Sequence, residues 1–434
     1  MNTTRTTHAI ALCAAAALAV GLAGCGDNSD SGDPGGSGDG GQVTITWWHN
    51  VTSDPGKTVF QNAADRFMDA NPNVKIEIVP IQNEDLQDKL QTALNGSDAP
   101  DMFQQWGGGE MAEQVDQGLV MDISADSQKE VEFIGGSMAP WQYDGKTYGL
   151  PYTAGVAGVY YSKDLFDQAG ITETPQTWEQ FNDVVAKLKA AGIVPVGLGG
   201  KDAWPAGHWM YIMTLRMCGQ EVIAQDTENK AFDDPCYLQA AQLLEDFGKT
   251  EPFEEGWVSV SAQQGAGSSS GMLANHKLAM EFSGVWETGQ VQSLTPDGQP
   301  LADLHWFPFP SVAGGKGDPK AAVGGGDGFS CHAKAPKECA DFLRYLVGDE
   351  TQAEYAETGA GIPVNPSAVD KLTTESLKEA AAGSNEASFL QLWLDKAFGD
   401  SVGETINQES VGVLSGKTTP EQYVQGLIDA AKKG

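Results

Sequence analysis

The sequence predicts an α/β protein of two wound units that the chain joins more than once, followed by a helical C-terminal quarter. Three observations carry this. Residues 43–117 repeat strand then helix, the order of a parallel wound sheet. Extended segments interrupt that order near 143–165, after which it resumes. From Ala335 onward nearly every stretch has helical spacing.

Each element has its own signal. Val43 to His49 alternates as a strand does. Asp54-Pro55 pairs an N-cap with proline at the first helical position, and Val59, Phe60, Ala63, Ala64, Phe67 and Met68 follow at helical spacing until Asn71-Pro72. Val74 to Val79 is a second strand, and Glu84 to Leu94 a helix ended by Gly96. Asp101 to Gln104 is a third strand, leading through Gly107-Gly108-Gly109 into a helix to about Gln117. Tyr143-Asp144-Gly145-Lys146 is a hairpin turn, and Leu150–Thr153 and Gly158–Tyr161 are extended. Thr177 with Gln180 forms a capping box for a helix to about Ala191. Val194 to Leu198 is a strand, and Asp234-Pro235 opens a helix reaching Phe247. Lys277 to Phe282 and Leu304 to Phe309 are strands. C-terminal helices are expected at 336–347, 349–358, 366–382, 386–398 and 419–432.

Lys and Arg total 26 against 59 Asp and Glu, a net charge of −33. So acidic a surface repels phosphate backbones and anionic headgroups, which excludes nucleic acids and membrane surfaces as partners. Residues 9–23 form an Ala-rich apolar run of about fifteen residues. That is short of the roughly 20 a spanning helix needs and right for the core of a secretory signal. The run ends Leu22-Ala23-Gly24-Cys25, which resembles a bacterial lipobox. The resemblance implies loss of residues 1–24, a diacylglyceryl group on Cys25, and anchoring on the outer face of the cell membrane. The alternative is a plain signal peptide cleaved elsewhere. Residues 26–41 contain no large apolar side chain and read as a flexible tether spanning on the order of 20 Å.

Cys218, Cys236, Cys331 and Cys339 remain in the body. An even count in an exported chain points to two disulfides. Three pairings are possible; the nearest-neighbour pairing closes short loops and is favoured. Cys331-His332 with Cys339 lacks paired zinc spacing, and neither metal nor cofactor is expected.

Open parallel sheets bind ligands beyond the carboxyl ends of their strands. The loops there carry Trp47-Trp48-His49-Asn50, Gln82-Asn83-Glu84 and Gln104-Gln105-Trp106-Gly107. Sugars need this mixture: an apolar C–H face packs on an aromatic ring, and the hydroxyl rim takes paired donors and acceptors from planar amides and carboxylates. Parity puts Val43, Ile45 and Trp47 on one face and leaves Trp48 for a ligand, with core packing as the alternative. Trp204, His208-Trp209, Trp257 and Trp286 lie beside Gly or Pro, where bends keep side chains accessible; each has core or rim packing as its alternative. Trp286, after a strand and opening a helix, leads among them. Gly324–Gly328 permits close backbone approach to a ligand, and Asp327 supplies an acceptor; a simple turn is the other reading.

Enzyme signals are weaker. Gly267-Ser268-Ser269-Ser270-Gly271 matches the G-x-S-x-G string, but Ser261 to Ala266 (SAQQGA) is no apolar strand, so a loop leading into a helix is expected. Neither H-E-x-x-H nor a P-loop string occurs. A secreted glycosidase would need two carboxylates across a cleft, with Glu84 and Glu287 the first to test. A third possibility keeps the fold and binds a non-sugar solute.

WWHN, Asn71-Pro72-Asn73-Val74, Ala99-Pro100-Asp101-Met102, Tyr148–Tyr152, Tyr160–Phe166 and Asn275–Met280, with Gly284 and Trp286 after it, occur in that order. Together with the lipobox and tether they resemble the family 1 extracellular solute-binding proteins, the sugar-binding lipoproteins of Gram-positive ABC importers. The resemblance implies a two-lobed, periplasmic-binding-protein-like fold of the maltose-binding-protein type. It places 43–152 plus about 284–328 in the N-terminal lobe and 153–283 plus 329–434 in the C-terminal lobe. It further implies a hinge of crossing segments near 150–155 and 283–287, a monomer, an oligosaccharide in the interlobe cleft, delivery to ABC permease subunits, and no catalysis. Asn83-Glu84 and Gln105–Gly109 look like the branch that binds xylobiose and longer xylo-oligosaccharides. The expected ligand-binding set is Trp48, His49, Asn50, Asn83, Glu84, Gln105, Trp106, Tyr152, Trp204, His208, Trp257, Trp286 and Asp327.

Overall fold

Val43–His49 pairs in parallel with Val74–Pro80 along its length and with Met102–Gln105 at Trp47 and Trp48. Gly328–Cys331 adds antiparallel to Met102–Gln105, and Leu150–Pro151 closes this first, five-stranded sheet. The computed structural model describes residues 42–433, within a single contact unit. The expected signal segment, Cys25 and the expected tether lie outside the described residues. A wound sheet is covered on both faces. Ile45 and Trp47 pack on one side with Phe60, Phe329 and Phe342. Trp48 packs on the other with Leu86, Phe103 and Met111.

A second sheet takes the order Leu304–Pro308, Gly158–Ser162, Leu278–Ser283, Val194–Gly197. A small third sheet, Leu390–Leu392, Ala322–Gly325 and Gly155–Val156, lies where the chain passes between the two. Strand pairing decides which sheet each later stretch joins. Leu304–Pro308 pairs with Gly158–Ser162, so the stretch from 284 to 308 stays with the second sheet. Gly328–Cys331 and the helices Glu338–Leu346 and Asp349–Glu357 return to the first, where Phe342, Leu343 and Tyr355 join its core. The crossing near 150–155 is present; 283–287 runs from strand to helix without leaving the second sheet. Burial decides this: the amphipathic helix Glu338–Leu346 covers a face of the first sheet that would otherwise meet water.

The hairpin forms as read, with Asp144 and Gly145 both at positive φ. Thr177 caps Trp178–Ala190 through Gln180 N–H, and Asp234 caps Pro235–Gly248 through Cys236 N–H. Two long helices escaped the sequence pattern. Trp204–Cys218 is buried almost all round, so it shows no amphipathic period. It also corrects the bend expected at Trp204–Trp209. Asp400–Leu414 contains Gly403 and Gly412, which weaken its propensity; packing against Trp204–Cys218 overrides that. The expected helix 386–398 divides into a strand, Leu390–Leu392, and the short helix Leu394–Ala397.

Cys218 is bonded to Cys236 and Cys331 to Cys339. The first bridge spans a sequence separation of 18; by loop-closure entropy its removal in C218A/C236A is expected to cost about 3 kcal/mol in a denaturant titration. An unchanged midpoint would count against that role. No helix among the described residues is long and apolar enough to cross a membrane.

Candidate functional site

A cleft of about 430 Å³ opens at the carboxyl ends of the first sheet's parallel strands, and its opposite wall includes Trp204, His208 and Trp286, which pack with the second sheet. Asn50 and Asn83 follow adjacent strands, and Asn50 Nδ2 donates to Asn83 Oδ1 at 3.0 Å. Trp106 follows the third strand. Tyr152 and Asp327 come from the crossing segments, and Tyr152 N–H donates to the Asp327 carbonyl at 2.8 Å. Trp204 and His208 lie one turn apart on one helix, their rings 4.9 Å apart. Trp286 sits 6.0 Å from Trp204 and from His208. All of these expected residues line the cleft.

The others do not. His49 shares the parity of Trp47 and is buried in the first core, where its Nδ1 accepts from Val51 N–H. Burial pushes its pKa down to about 3. Trp48 faces the opposite layer, under the helix Asn83–Ala93. Gln105 is buried and turned onto its own loop: its Oε1 accepts from the Trp106 and Gly107 amides, and its Nε2 donates to Gln114 Oε1 at 2.7 Å. It therefore fixes the turn that presents Trp106. Trp257 packs on Phe253 and Gly200. Glu84 stands at the rim and accepts from Trp204 Nε1 at 3.2 Å. The glycines at 324–328 serve the chain rather than a ligand: a Cβ on Gly324, Gly326 or Gly328 would strike the carbonyl of Gly155, Thr153 or Leu150.

Several lining residues were not foreseen. Trp393 stacks on His208 at 4.4 Å and lies 5.6 Å from Trp286. Tyr355 meets Tyr152 at 5.7 Å. Gln87, Gln263, Gln264 and Gln290 add planar amides to Gln82 of the expected loop. The loop SAQQGA carried a signal, two adjacent amides in a segment without a core pattern, but Trp393 sat in an expected helix.

The charges lining the cleft are few. Lys396 is the one cationic side chain lining the cleft among the described residues. It lies 4.6 Å over the Trp106 ring and bonds Glu110 Oε2 at 2.6 Å. Burial would lower its pKa, but Glu110 and Asp395 hold it above the usual lysine value. Burial raises Asp327 to about 6, against hydrogen bonds from Trp106 and Gln104. Burial drives His208 down to about 3, so the ring is neutral. Trp286 Nε1 and His208 Nδ1 are buried without a protein partner, and each such atom calls for one. The carboxylates first suspected of catalysis do not oppose each other: Glu287 is fully buried and absent from the cleft wall. In the G-x-S-x-G segment, Ser268 caps the helix Ser269–Ala274 and Ser269 is buried against Glu281.

Residues 62–383 match the model of the bacterial extracellular solute-binding protein family. The chain is 25% identical to the sn-glycerol-3-phosphate-binding periplasmic protein of Pectobacterium atrosepticum, over 99% of this chain and 96% of that one. A solved structure from work on xylan utilization by Caldanaerobius polysaccharolyticus superposes with a TM-score of 0.80 at 25% identity, covering 89% of this chain and 99% of that one. A chitin oligosaccharide binding protein superposes with a TM-score of 0.82 at 22% identity, covering 90% and 98%. The two-lobed solute-receptor architecture expected from the sequence is the one these structures share.

Proposed function

The chain belongs to the bacterial extracellular solute-binding protein family, and from that premise we propose that it captures a neutral oligosaccharide in its cleft and delivers it, unaltered, to an ABC permease. One observation carries the choice of ligand. The walls combine Trp106, Trp204, Trp286, Trp393, Tyr152 and Tyr355 with planar amides, and their single cation is already bound to Glu110. Aromatic faces and amides suit a sugar's two kinds of surface. A phosphate would want several free cationic donors, so the site favours a sugar over the glycerol phosphate of the Pectobacterium relative. Within sugars the reading is a xylo-oligosaccharide, supported by the likeness to the xylan-utilization structure.

Capture begins by stacking on one wall, and approach of the other wall adds contacts; ligand shifts the population toward the closed form because it binds that form better. The protein acts as a monomer, with Cys25 and the tether holding it at the outer face of the membrane. A thermal-shift panel tests this. Ligand at 100 times its Kd stabilises by about 2.7 kcal/mol. Xylo-oligosaccharides are expected to raise the midpoint more than cello-, malto- or chito-oligosaccharides, and sn-glycerol 3-phosphate to leave it unchanged. Stabilisation by the phosphate alone, or release of chromophore from aryl glycosides, would refute the proposal.

A further inference from the structure

A second cavity of about 780 Å³ adjoins the first and shares Trp106, Trp204, Gln264 and Lys396 with it. One carboxylate stands at their junction. Glu84, at the start of the helix Asn83–Ala93, accepts from Trp204 Nε1 at 3.2 Å and from Gln264 Nε2 at 3.4 Å. Glu84 opens a helix packed on the first sheet, whereas Trp204 and Gln264 stand on the side of the second, so these bonds run across the cleft from wall to wall.

We propose that Glu84, Trp204 and Gln264 form a displaceable partition that sets the length of saccharide the protein accepts. Short chains fill the first cavity. Longer neutral chains reach the second only by breaking these bonds. The proposal rests on the carbohydrate reading above. At about 430 Å³ the first cavity lies low in the range of small-molecule sites, roughly 300–1,000 Å³. The second has no aromatic surface of its own, because Trp106 and Trp204 are both shared. Its remaining walls are largely carboxylates and amides, which accept hydroxyl hydrogens but offer no ring on which a sugar face can stack. Sugar units beyond the partition therefore gain hydrogen bonds without stacking, and must first break the two bonds that Glu84 accepts from Trp204 and Gln264.

Calorimetric titration with xylobiose, xylotriose, xylotetraose and xylohexaose tests this in wild type, E84A, E84Q and W204F. In the wild type the ratio of Kd for xylohexaose to Kd for xylobiose is expected to be at least tenfold. E84A and W204F, which remove the acceptor and the indole donor, are expected to cut that ratio at least fivefold. E84Q keeps an oxygen for Trp204 and is expected to stay within twofold of the wild-type ratio. If wild type and E84A bind both chains with the same ratio, or the wild type is indifferent to length, the partition is wrong and the carbohydrate reading stands. A ratio for E84Q as low as that for E84A would trace the effect to charge and also overturn the partition. If the wild type binds no neutral oligosaccharide, both fall.

Discussion

Trp286→Ala is expected to weaken saccharide binding by roughly 30-fold, about 2 kcal/mol, while leaving the ligand-free protein folded. The size follows from position. Trp286 is only partly buried at the edge of the second core, and its ring meets Trp204, His208 and Trp393 around the cleft. Its Nε1 has no protein partner, so a bound hydroxyl would satisfy a donor that folding leaves unpaired. Gly284 offers a second test without touching the ring: a Cβ there would collide with the Trp286 six-membered ring, so Gly284→Ala must displace it. Both variants should show lost affinity by fluorescence titration, with thermal midpoints near that of the wild type. Unchanged affinity in W286A would make this ring structural only.

Stability is expected to fall as pH rises from about 5 to 8, and Glu287→Gln is expected to remove much of that fall. Glu281 and Glu287 are both buried. Ser269 donates to Glu281 Oε1 at 2.7 Å and Ser283 to Glu287 Oε2 at 3.1 Å; their other oxygens have no partner. Burial, then the charge of Glu287, holds the Glu281 carboxyl well above the usual range, and burial raises Glu287 to about 7. A carboxyl raised from 4.5 to about 7 gives its full stabilisation below 4.5 and loses it as pH climbs through 7, a change of up to about 3 kcal/mol. Gln stays neutral throughout, so E287Q should match or exceed the wild type at pH 8. Glu254, raised by burial to about 7, leaves a residual fall, which buried neutral His49 and His208, lowered to about 3, oppose below about pH 6.5. Thermal melts at pH 5.5 and 8 decide it: parallel behaviour of the two proteins would remove Glu287 as the cause.

The half of the site that follows local rules was legible in the sequence. Asn50, Asn83 and Trp106 succeed parallel strands, and strand–helix order alone points to those loops. Trp286 follows a strand and opens a helix, which is also local. What failed depended on distant packing. Trp48 faces away from the core of Trp47, yet a sheet covered on both sides packs it against a second layer all the same, partly buried. His49 shares the parity of Trp47, so alternation already placed it inward. Gln105 is an amide at the right place that spends its bonds on its own loop. Trp393 reaches the cleft only because Leu390–Leu392 pairs with Ala322–Gly325, a contact no local pattern encodes. Sheet membership is non-local in the same way: which sheet takes Leu304–Pro308 is settled by pairing with a strand more than a hundred residues earlier.

The most direct measurement is a crystal structure of the protein soaked with xylobiose. The account predicts an intact disaccharide between the two walls, one ring against Trp286 and hydroxyls within hydrogen-bond distance of Asn50, Asn83 and Asp327. An empty cleft, a sugar bound elsewhere, or density for a cleaved glycosidic bond would contradict it.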